Sequence, residues 1–408
     1  MIVRKALRVW RNEGFVRLVR VSRSKLVDRI AFRRSYPFDY LKQISEVDPF
    51  DPASLPKPAR QAGSRTNLSL RWYMPAPGRG SGGHLNLFRI IDQLKQRGHR
   101  SEVTILEGLR SGRSREQMAA FIRSDFLADV SVTWDTDSLG DVDIVLATTW
   151  QSAYVAVLDT ACAARAYVVQ DWEPYFHPHG SESIFAENSY RLGFQHITAG
   201  PWLSERLREL GASASPFPFA ADPQTYYPDP GPRQPGRTHV VFYARPVTPR
   251  RCYELGVESL RLLNQRLGPG RLLVSMAGWP IPNWPADFEI VRHGILAPGP
   301  LRRLYSSADI VLVLSSTNPS LLPLEAGLCG VPVVDLAMPS LEGTLEDGVS
   351  ARLAMPSPPA LARTMADLID HPEEARALGS RAREHALTCT WEAAGAAVES
   401  ALVRSLGG

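Results

Sequence analysis

Short runs of apolar residues alternate with amphipathic stretches along most of the chain. DVDIVLATTW (141–150) and ARAYVVQD (164–171) are two such runs, typical of strands that are buried on both faces. Stretches such as PWLSERLRELG (201–211) separate the runs and carry apolar residues at helical spacing. Strands that alternate with helices indicate βαβ units, so the pattern predicts parallel sheets with right-handed crossovers.

This pattern runs through the chain twice. It begins with LSLRWYMP (68–75), breaks in the proline- and glycine-rich residues 221–238, and restarts with HVVFYARP (239–246). We therefore predict an α/β protein with two Rossmann-like domains facing across a cleft, where ligands would meet the carboxyl ends of the strands. The predicted segments are, in chain order, a basic amphipathic extension (1–35), a linker or arm (36–67), an N-terminal domain (68–222), a hinge (223–237), a C-terminal domain (238–388) and a C-terminal helix packing back on the N-terminal domain (389–408).

The composition suits this organisation. The 408 residues are enough for two domains, and 44% apolar with 22% charged residues is typical of a globular protein. No stretch of about 18 apolar residues could span a bilayer. The four cysteines lie far apart and form no CxxC pair, which argues against a zinc ribbon or a disulfide framework and suits a reducing compartment.

The net charge of +4 is unevenly distributed. Residues 1–34 hold eleven Lys or Arg against Glu13 and Asp28, whereas the rest of the chain holds 35 basic and 40 acidic residues. The body therefore offers little support for nucleic-acid binding. In the first 34 residues arginines interleave with apolar residues such as Leu7 and Trp10, so this segment is either a helix at an anionic membrane surface or a solvated arm. The sequence predicts no oligomeric state.

The loop GRGSGGH (78–84) is a candidate phosphate-binding loop between a strand and a helix. Gly82 and Gly83 allow a close approach of the backbone, and a helix starting near His84 offers free N–H groups to an anion. The loop lacks the Gly-Lys-Ser/Thr of a Walker motif and departs from the GxGxxG spacing. An ordinary βα turn remains the alternative.

A second candidate is FYARPVTPRR (242–251), at the tip of the first strand of the C-terminal domain. Arg245 ends the strand, and Arg250 and Arg251 follow across a turn with two prolines. Guanidinium groups match phosphate oxygens in geometry and charge, so a pyrophosphate would fit here. The alternative is a solvated turn.

The third candidate is the stretch PSLLPLEAGLCGVPVV (319–334). Ser320 is a plausible helix N-cap, and the N–H groups near Leu321 are predicted to face a phosphate. Glu325 lies one turn into a helix that is otherwise apolar. It could accept hydrogen bonds from two vicinal hydroxyls, as acidic residues do with ribose in nucleotide sites.

The fourth candidate, VVQDWEPYFHPHGSES (168–183), begins with a strand that ends at Asp171 and Glu173. These carboxylates could orient sugar hydroxyls over the cleft. His177 and His179 invite a metal-site hypothesis, but no third ligand of suitable spacing is evident.

An acidic loop of the kind that contains Asp135 and Asp137 is also found in metal-dependent transferases of another fold. Two Rossmann-like halves contradict that fold, and the loop is expected to be solvated.

These blocks, taken in one order, resemble retaining glycosyltransferases of family 4, which have the GT-B fold, and within them the bacterial rhamnosyltransferases of the WsaF type. The resemblance covers about residues 68–405. Its most specific parts are GSGGH, QDWEPYFHPHGS, AENSYRLGFQHITAGPWL, FYARPVTPRR and NPSLLPLEAG.

The resemblance implies a role for each matching position. Arg245 and Arg250 would hold the donor pyrophosphate, and Glu325 matches the second glutamate of the family's E-x7-E motif, which binds the donor ribose. Thr317 stands where the first glutamate is expected, which leaves Ser320 and the nearby backbone to serve beside the sugar ring. The implied donor-binding residues are Gly82, Gly83, Arg245, Arg250, Ser320, Leu321 and Glu325. The implied acceptor-binding residues are His84, Asp171, Trp172 and Glu173, and the implied catalytic residues are Asp171, Glu173, Arg245 and Arg250.

The implied reaction is the transfer of a deoxyhexose, L-rhamnose from dTDP-rhamnose, to a bacterial surface polysaccharide or a lipid-linked glycan. It would need no metal and no cofactor besides the nucleotide-sugar substrate. The protein would be cytoplasmic and peripheral on the inner face of the membrane through residues 1–34. Two alternatives are a two-domain sugar-nucleotide epimerase and a non-catalytic glycan-binding relic, the latter favoured by Thr317.

Overall fold

The computed structural model describes residues 40–61, 66–106, 111–229, 231 and 236–407. The chain forms two compact units, residues 1–48 and residues 49–408. In its described part the first unit contains one short helix, α1 (Tyr40–Ser45). The basic extension predicted over 1–35 lies outside the described residues. Every structural feature described below belongs to the second unit.

The first half of the second unit is built on a parallel sheet of seven strands within the described residues. They pair in the order β3-β2-β1-β4-β5-β6-β7. Strands at the centre are buried on both faces; in β5 all six positions are buried, as the apolar run predicts. The strands are β1 (Ser69–Pro75), β2 (Arg100–Leu106), β3 (Ser131–Trp134), β4 (Ile144–Ala147), β5 (Ala164–Val169), β6 (Gln195–Ala199) and β7 (Ala214–Phe217).

A second parallel sheet follows after the proline-rich segment. Within the described chain it has six strands in the order β10-β9-β8-β11-β12-β13. In each sheet the order reverses beside the first strand, β1 or β8, which places a ligand-binding crevice at the carboxyl ends there. The strands are β8 (Thr238–Tyr243), β9 (Leu272–Ala277), β10 (Glu289–Gly294), β11 (Ile310–Leu312), β12 (Val333–Leu336) and β13 (Arg352–Ala354).

Helices connect the strands in both halves and complete the α/β layers. Several begin at residues that the sequence marks as caps, for example Ser114, whose hydroxyl accepts from the Gln117 N–H. The helices are α2 (Gly82–Gln96), α3 (Arg115–Phe126), α4 (Trp150–Ala156), α5 (Ser181–Ser189), α6 (Pro201–Glu209), α7 (Tyr253–Leu267), α8 (Pro298–Ser307), α9 (Leu322–Leu328), α10 (Pro358–Asp370), α11 (Pro372–Thr388) and α12 (Trp391–Leu406).

The last helix, α12, returns to the N-terminal half. Glu399 lies 3.1 Å from Arg97 and 2.9 Å from His99, both at the end of α2. Gly395 sits so close to α2 that a Cβ there would come within 2.6 Å of the Gln93 Cβ. A glycine is therefore required where the two helices cross.

Part of the predicted linker is fixed to the N-terminal domain. The N–H groups of Ala59 and Arg60 donate to the carbonyls of Thr160 and Cys162, at 2.9 and 3.1 Å. In addition, the Arg165 guanidinium donates to the Pro56 carbonyl at 2.6 Å. These three contacts use backbone groups of the segment, so they leave no periodic pattern in its sequence.

The prediction of two Rossmann-like domains is confirmed by the two sheets. No helix in the described ranges is long and apolar enough to cross a membrane.

Candidate active site

A cleft of about 800 Å³ lies between the carboxyl ends of the two sheets. Residues from both domains line it, and ten of the eleven site residues predicted from the sequence are among them. They are Gly82, Gly83, His84, Asp171, Glu173, Arg245, Arg250, Ser320, Leu321 and Glu325. The eleventh, Trp172, is missing from the described lining. Residues up to 243 positions apart in the chain thus converge on one site.

The glycine loop enters the cleft at the start of α2. The Ser81 hydroxyl lies 2.7 Å from His84 Nδ1, and His84 Nε2 lies 3.1 Å from the Pro75 carbonyl, which fixes the shape of the loop. Burial lowers the pKa of His84, which favours the neutral ring. A neutral ring that donates from Nε2 accepts the Ser81 hydroxyl at Nδ1. A Cβ at Gly82 would meet no atom within 4 Å, so the loop is open on the side where an anion can approach.

Two arginines enter from the C-terminal domain. The Arg245 guanidinium lies 5.3 Å from the Trp279 ring centre, and its Nη1 is 3.5 Å from the Gly80 carbonyl. The Arg250 guanidinium lies 4.0 Å from the Phe176 ring. Burial lowers the pKa of Arg250, an effect that the charge of Asp171 opposes. Both arginines are stacked on aromatic rings, which holds their charge in place at the cleft.

Glu325 is buried at the cleft wall, one turn into α9, with 6% of its surface exposed. Burial raises the pKa of Glu325 to about 7, while a hydrogen bond from Tyr226 opposes the rise. Tyr226 comes from the segment predicted as a hinge and also lines the cleft. A carboxylate with one phenol partner retains acceptor capacity for further hydroxyl groups.

The start of α9 differs from the prediction. The N-cap is Leu321, not Ser320, since the first helical hydrogen bond runs from the Glu325 N–H to the Leu321 carbonyl at 3.0 Å. The Ser320 hydroxyl is buried and has no hydrogen-bond partner among the described residues. Because such a group is costly to leave unpaired, Ser320 is suited to a partner on the ligand.

Asp171 spans the cleft from the end of β5. Its Oδ1 accepts from the Trp172 N–H at 2.8 Å and from the Asn318 N–H at 3.1 Å. Its Oδ2 accepts from the Thr317 hydroxyl at 3.0 Å and lies 3.2 Å from Arg250 Nε, as an ion pair without hydrogen-bond alignment. Asp171 therefore contacts the C-terminal domain directly.

Glu173 is held inside the N-terminal domain. Its Oε1 accepts from the Tyr167 hydroxyl at 2.7 Å, and its Oε2 accepts from the Trp150 N–H at 2.8 Å, at the start of α4. Burial raises the pKa of Glu173 to about 7, and these two hydrogen bonds oppose the rise. Both oxygens are thus already used by the protein.

Trp172 faces away from the cleft. It is 2% exposed, its ring centre is 5.0 Å from that of Tyr190, and the Arg206 guanidinium lies over it at 4.2 Å. Neighbouring residues of an extended chain point to opposite sides, so Asp171 and Trp172 could not both face the ligand.

Two of the residues considered for metal binding, Asp137 and His177, have protein partners. Asp137 pairs with Arg115, and His177 accepts from the Trp150 indole and lies 3.2 Å from Glu182. Within the described residues there is no group of three or more His, Cys, Asp or Glu that could hold a metal ion.

Sequence comparisons match part of the chain to a described family and most of it to part of a longer protein. Residues 250–395, which carry Arg250 and Glu325, match the family described as glycosyl transferase-like. The O-antigen biosynthesis protein RfbC of Myxococcus xanthus is 34% identical over 331 residues, which is 79% of this chain and 26% of that protein. The chain spans about a quarter of the length of the curated relatives it matches.

Two solved structures show the same fold. HepE of Anabaena, in complex with UDP and glucose, has a TM-score of 0.64 at 14% identity, over 83% of this chain and 100% of that one. A sucrose-phosphate synthase of Thermosynechococcus elongatus has a TM-score of 0.62 at 15% identity, over 85% of this chain and 99% of that one. The fold is thus the GT-B fold, as predicted.

Proposed function

We propose that the chain is a retaining, metal-independent glycosyltransferase of family 4 that moves L-rhamnose from dTDP-rhamnose to a bacterial surface polysaccharide or its lipid-linked precursor. The observation that carries this proposal is the convergence of Arg245, Arg250 and Glu325 with the start of α2 in one cleft. Two cations and a helix N-terminus suit a diphosphate, and a buried carboxylate suits a diol. A nucleoside diphosphate sugar carries both groups.

The donor would lie along the C-terminal wall. Glu325 would accept from the ribose hydroxyls, and Arg245 and Arg250 would bind the diphosphate together with the N–H groups near Leu321 and at Gly82 and Gly83. The unpaired Ser320 hydroxyl would contact the sugar or its phosphate. Each of these groups lines the cleft, so one extended ligand can reach them all.

Charge development is the main demand of this reaction. As the bond between the sugar and the diphosphate breaks, negative charge grows on the leaving group, where the two arginines and the backbone N–H groups stabilise it. The diphosphate can take the acceptor proton on the same face of the sugar, so no protein base is needed. We therefore propose a mechanism without a metal ion.

The acceptor would approach from the N-terminal wall, over His84 and Asp171. Glu173, whose two oxygens are engaged, would act by holding the end of β5 and the start of α4 in place. Trp172, which faces away from the cleft, would support this wall by packing and would not contact the acceptor.

A bacterial surface glycan is proposed as the acceptor class on two grounds. One is the sequence resemblance to rhamnosyltransferases. The other is the relative RfbC, whose name assigns it to O-antigen biosynthesis. The basic residues 1–34 would place the enzyme at the anionic inner face of the membrane, where lipid-linked acceptors reside. A chain starting near residue 60 should then lose co-sedimentation with anionic liposomes at low salt, whereas binding that persists would refute this placement.

The function is tested by incubating the protein with dTDP-rhamnose and, in parallel, UDP-glucose, and measuring release of the nucleoside diphosphate. We expect release from dTDP-rhamnose that rises with a glycan acceptor and survives EDTA. Release from UDP-glucose but not from dTDP-rhamnose would show that UDP-glucose, and not dTDP-rhamnose, is the donor. An epimerase would convert the sugar nucleotide without release, and a relic would leave it unchanged. Loss on chelation with recovery on adding manganese would contradict the metal-free mechanism.

A further inference from the structure

A buried cluster joins the two domains at the base of the cleft. It consists of Asp171 from the N-terminal domain with Thr317 and Asn318 from the C-terminal domain, and we refer to these three residues as the interdomain clasp. Asn318 is 2% exposed. Its side-chain amide donates to the Gln170 carbonyl at 2.9 Å and to the Ala199 carbonyl at 2.8 Å.

Asn318 satisfies two backbone groups that the sheet itself leaves open. Gln170 follows β5 and Ala199 ends β6, so their carbonyls lie where the parallel ladder stops. A buried carbonyl without a donor is unfavourable, and one amide NH2 group has two hydrogens to give. The Asn318 N–H also donates to Asp171 Oδ1, at 3.1 Å. One residue of the C-terminal domain thus makes three hydrogen bonds to two adjacent strand ends of the other domain.

The clasp is connected to the groups proposed to bind the donor. Asn318 is followed by Pro319 and the unpaired Ser320, and Asp171 Oδ2 lies 3.2 Å from Arg250 Nε. Opening the clasp would therefore move Arg250 and the start of α9 relative to the glycine loop. Interfaces between domains of one chain usually bury a small area, so a few buried hydrogen bonds can decide whether the domains stay together.

We infer that Asn318 is a positioning residue that holds the two domains in the arrangement needed for transfer. The C-terminal domain provides most of the groups proposed to bind the nucleotide. Nucleotide binding therefore depends little on Asn318. The catalytic consequence rests on the proposed glycosyltransferase function, whereas the structural role of the clasp does not.

The test compares Asn318→Ala with Asn264→Ala. Asn264 is a fair control because it is also buried and also donates to a backbone carbonyl, that of Asp287 at 2.8 Å, but within the C-terminal domain. Amide hydrogen exchange is measured in peptides covering 168–173 and 198–203, together with nucleotide affinity and kcat. Thr317→Val, which removes only the hydroxyl bonded to Asp171, serves if Asn318→Ala does not fold.

For Asn318→Ala we expect faster exchange in both peptides, a Kd for dTDP within about threefold of the wild type, and a kcat about tenfold lower because two buried hydrogen bonds are lost. Thr317→Val should show the same pattern with a smaller change, and Asn264→Ala should change neither exchange nor kcat. Exchange like that of the wild type in Asn318→Ala would overturn the clasp, and faster exchange with full kcat would overturn the positioning role. If the wild type transfers no sugar but exchange still rises, the proposed function fails and the clasp stands.

Discussion

The two walls of the cleft hold their charged residues differently. On the N-terminal wall, Asp171 and Glu173 have both carboxylate oxygens engaged by protein donors. On the C-terminal wall, Arg245 rests on the Trp279 ring and Glu325 has Tyr226 as its partner. The C-terminal wall therefore keeps binding capacity for a ligand, whereas the N-terminal wall uses its carboxylates to build the site.

Arg250 is where the two walls meet, so its loss should have the largest effect. Arg250→Ala removes a contact to the diphosphate and also leaves the Asp171 charge without its cationic neighbour. We expect kcat/KM to fall about 100-fold, since a charge-assisted contact is worth about 1.5–3 kcal/mol. Arg245→Ala should cost about tenfold, because Arg245 lies further from buried charge. Arg261→Ala, which removes an exposed arginine paired with Glu258, is the control and should be neutral.

A substitution at Thr317 can test whether a second carboxylate is tolerated between the two walls of the cleft. Its hydroxyl donates to Asp171 Oδ2, so Thr317→Glu would bring two carboxylates together. We expect kcat to fall about tenfold through this repulsion, although the substitution restores the glutamate of the family motif. Thr317→Gln has the same shape without the charge and should lose less. If Thr317→Glu were faster than the wild type, Thr317 would lower activity rather than support it as a partner of Asp171.

Glu325 and Glu173 lie on opposite walls of the cleft, and burial raises the pKa of both to about 7. At pH 8 Glu325→Gln should raise the Kd for dTDP about fivefold, since an amide offers one oxygen instead of two. That difference should shrink below pH 7, where the wild-type carboxyl is protonated. Glu173→Gln should leave the Kd unchanged and lower the melting temperature, because one amide oxygen cannot serve both Tyr167 and Trp150. Equal effects on nucleotide affinity, measured by calorimetry, would contradict the distinction between the walls.

A smaller effect concerns stability and pH. The folded-state pKa values of Glu173, Glu325 and Asp335 are raised by burial to about 7, above the ordinary values of 4.5, 4.5 and 3.8. The folded protein therefore binds more protons than the unfolded chain between these limits, so the stability that these three groups contribute at low pH is lost as the pH rises through about 7. We expect the melting temperature to fall by about 2 °C or more between pH 5 and pH 8.

Glu325→Gln should flatten this dependence and be relatively more stable at pH 8, which calorimetric scans at both pH values can check. A wild-type melting temperature that rises steadily from pH 5 to pH 8 would refute these raised pKa values.

Much of the fold could be predicted because its signals are local. The apolar runs marked strands, and prolines and glycines marked the break between the domains. Arg245, Arg250 and Glu325 were found because strand ends and helix starts of parallel sheets meet at one edge.

The contacts between the walls were not predictable in this way. Asp171 and Asn318 are 147 positions apart, and no periodicity relates them. Asn318 was missed although it stands beside Pro319 at the head of a candidate stretch, because an asparagine in a loop usually indicates a turn. Trp172 was assigned to the cleft by its position in the sequence, but its side chain points the other way.

A nucleotide site on the C-terminal wall is tested by a calorimetric titration of the wild-type protein with dTDP at pH 8 in EDTA, repeated with Glu325→Gln and Glu173→Gln. We expect one site per chain in the wild type, weaker binding in Glu325→Gln and unchanged binding in Glu173→Gln. Absence of binding in the wild type, or equal binding in all three proteins, would contradict a nucleotide site on the C-terminal wall.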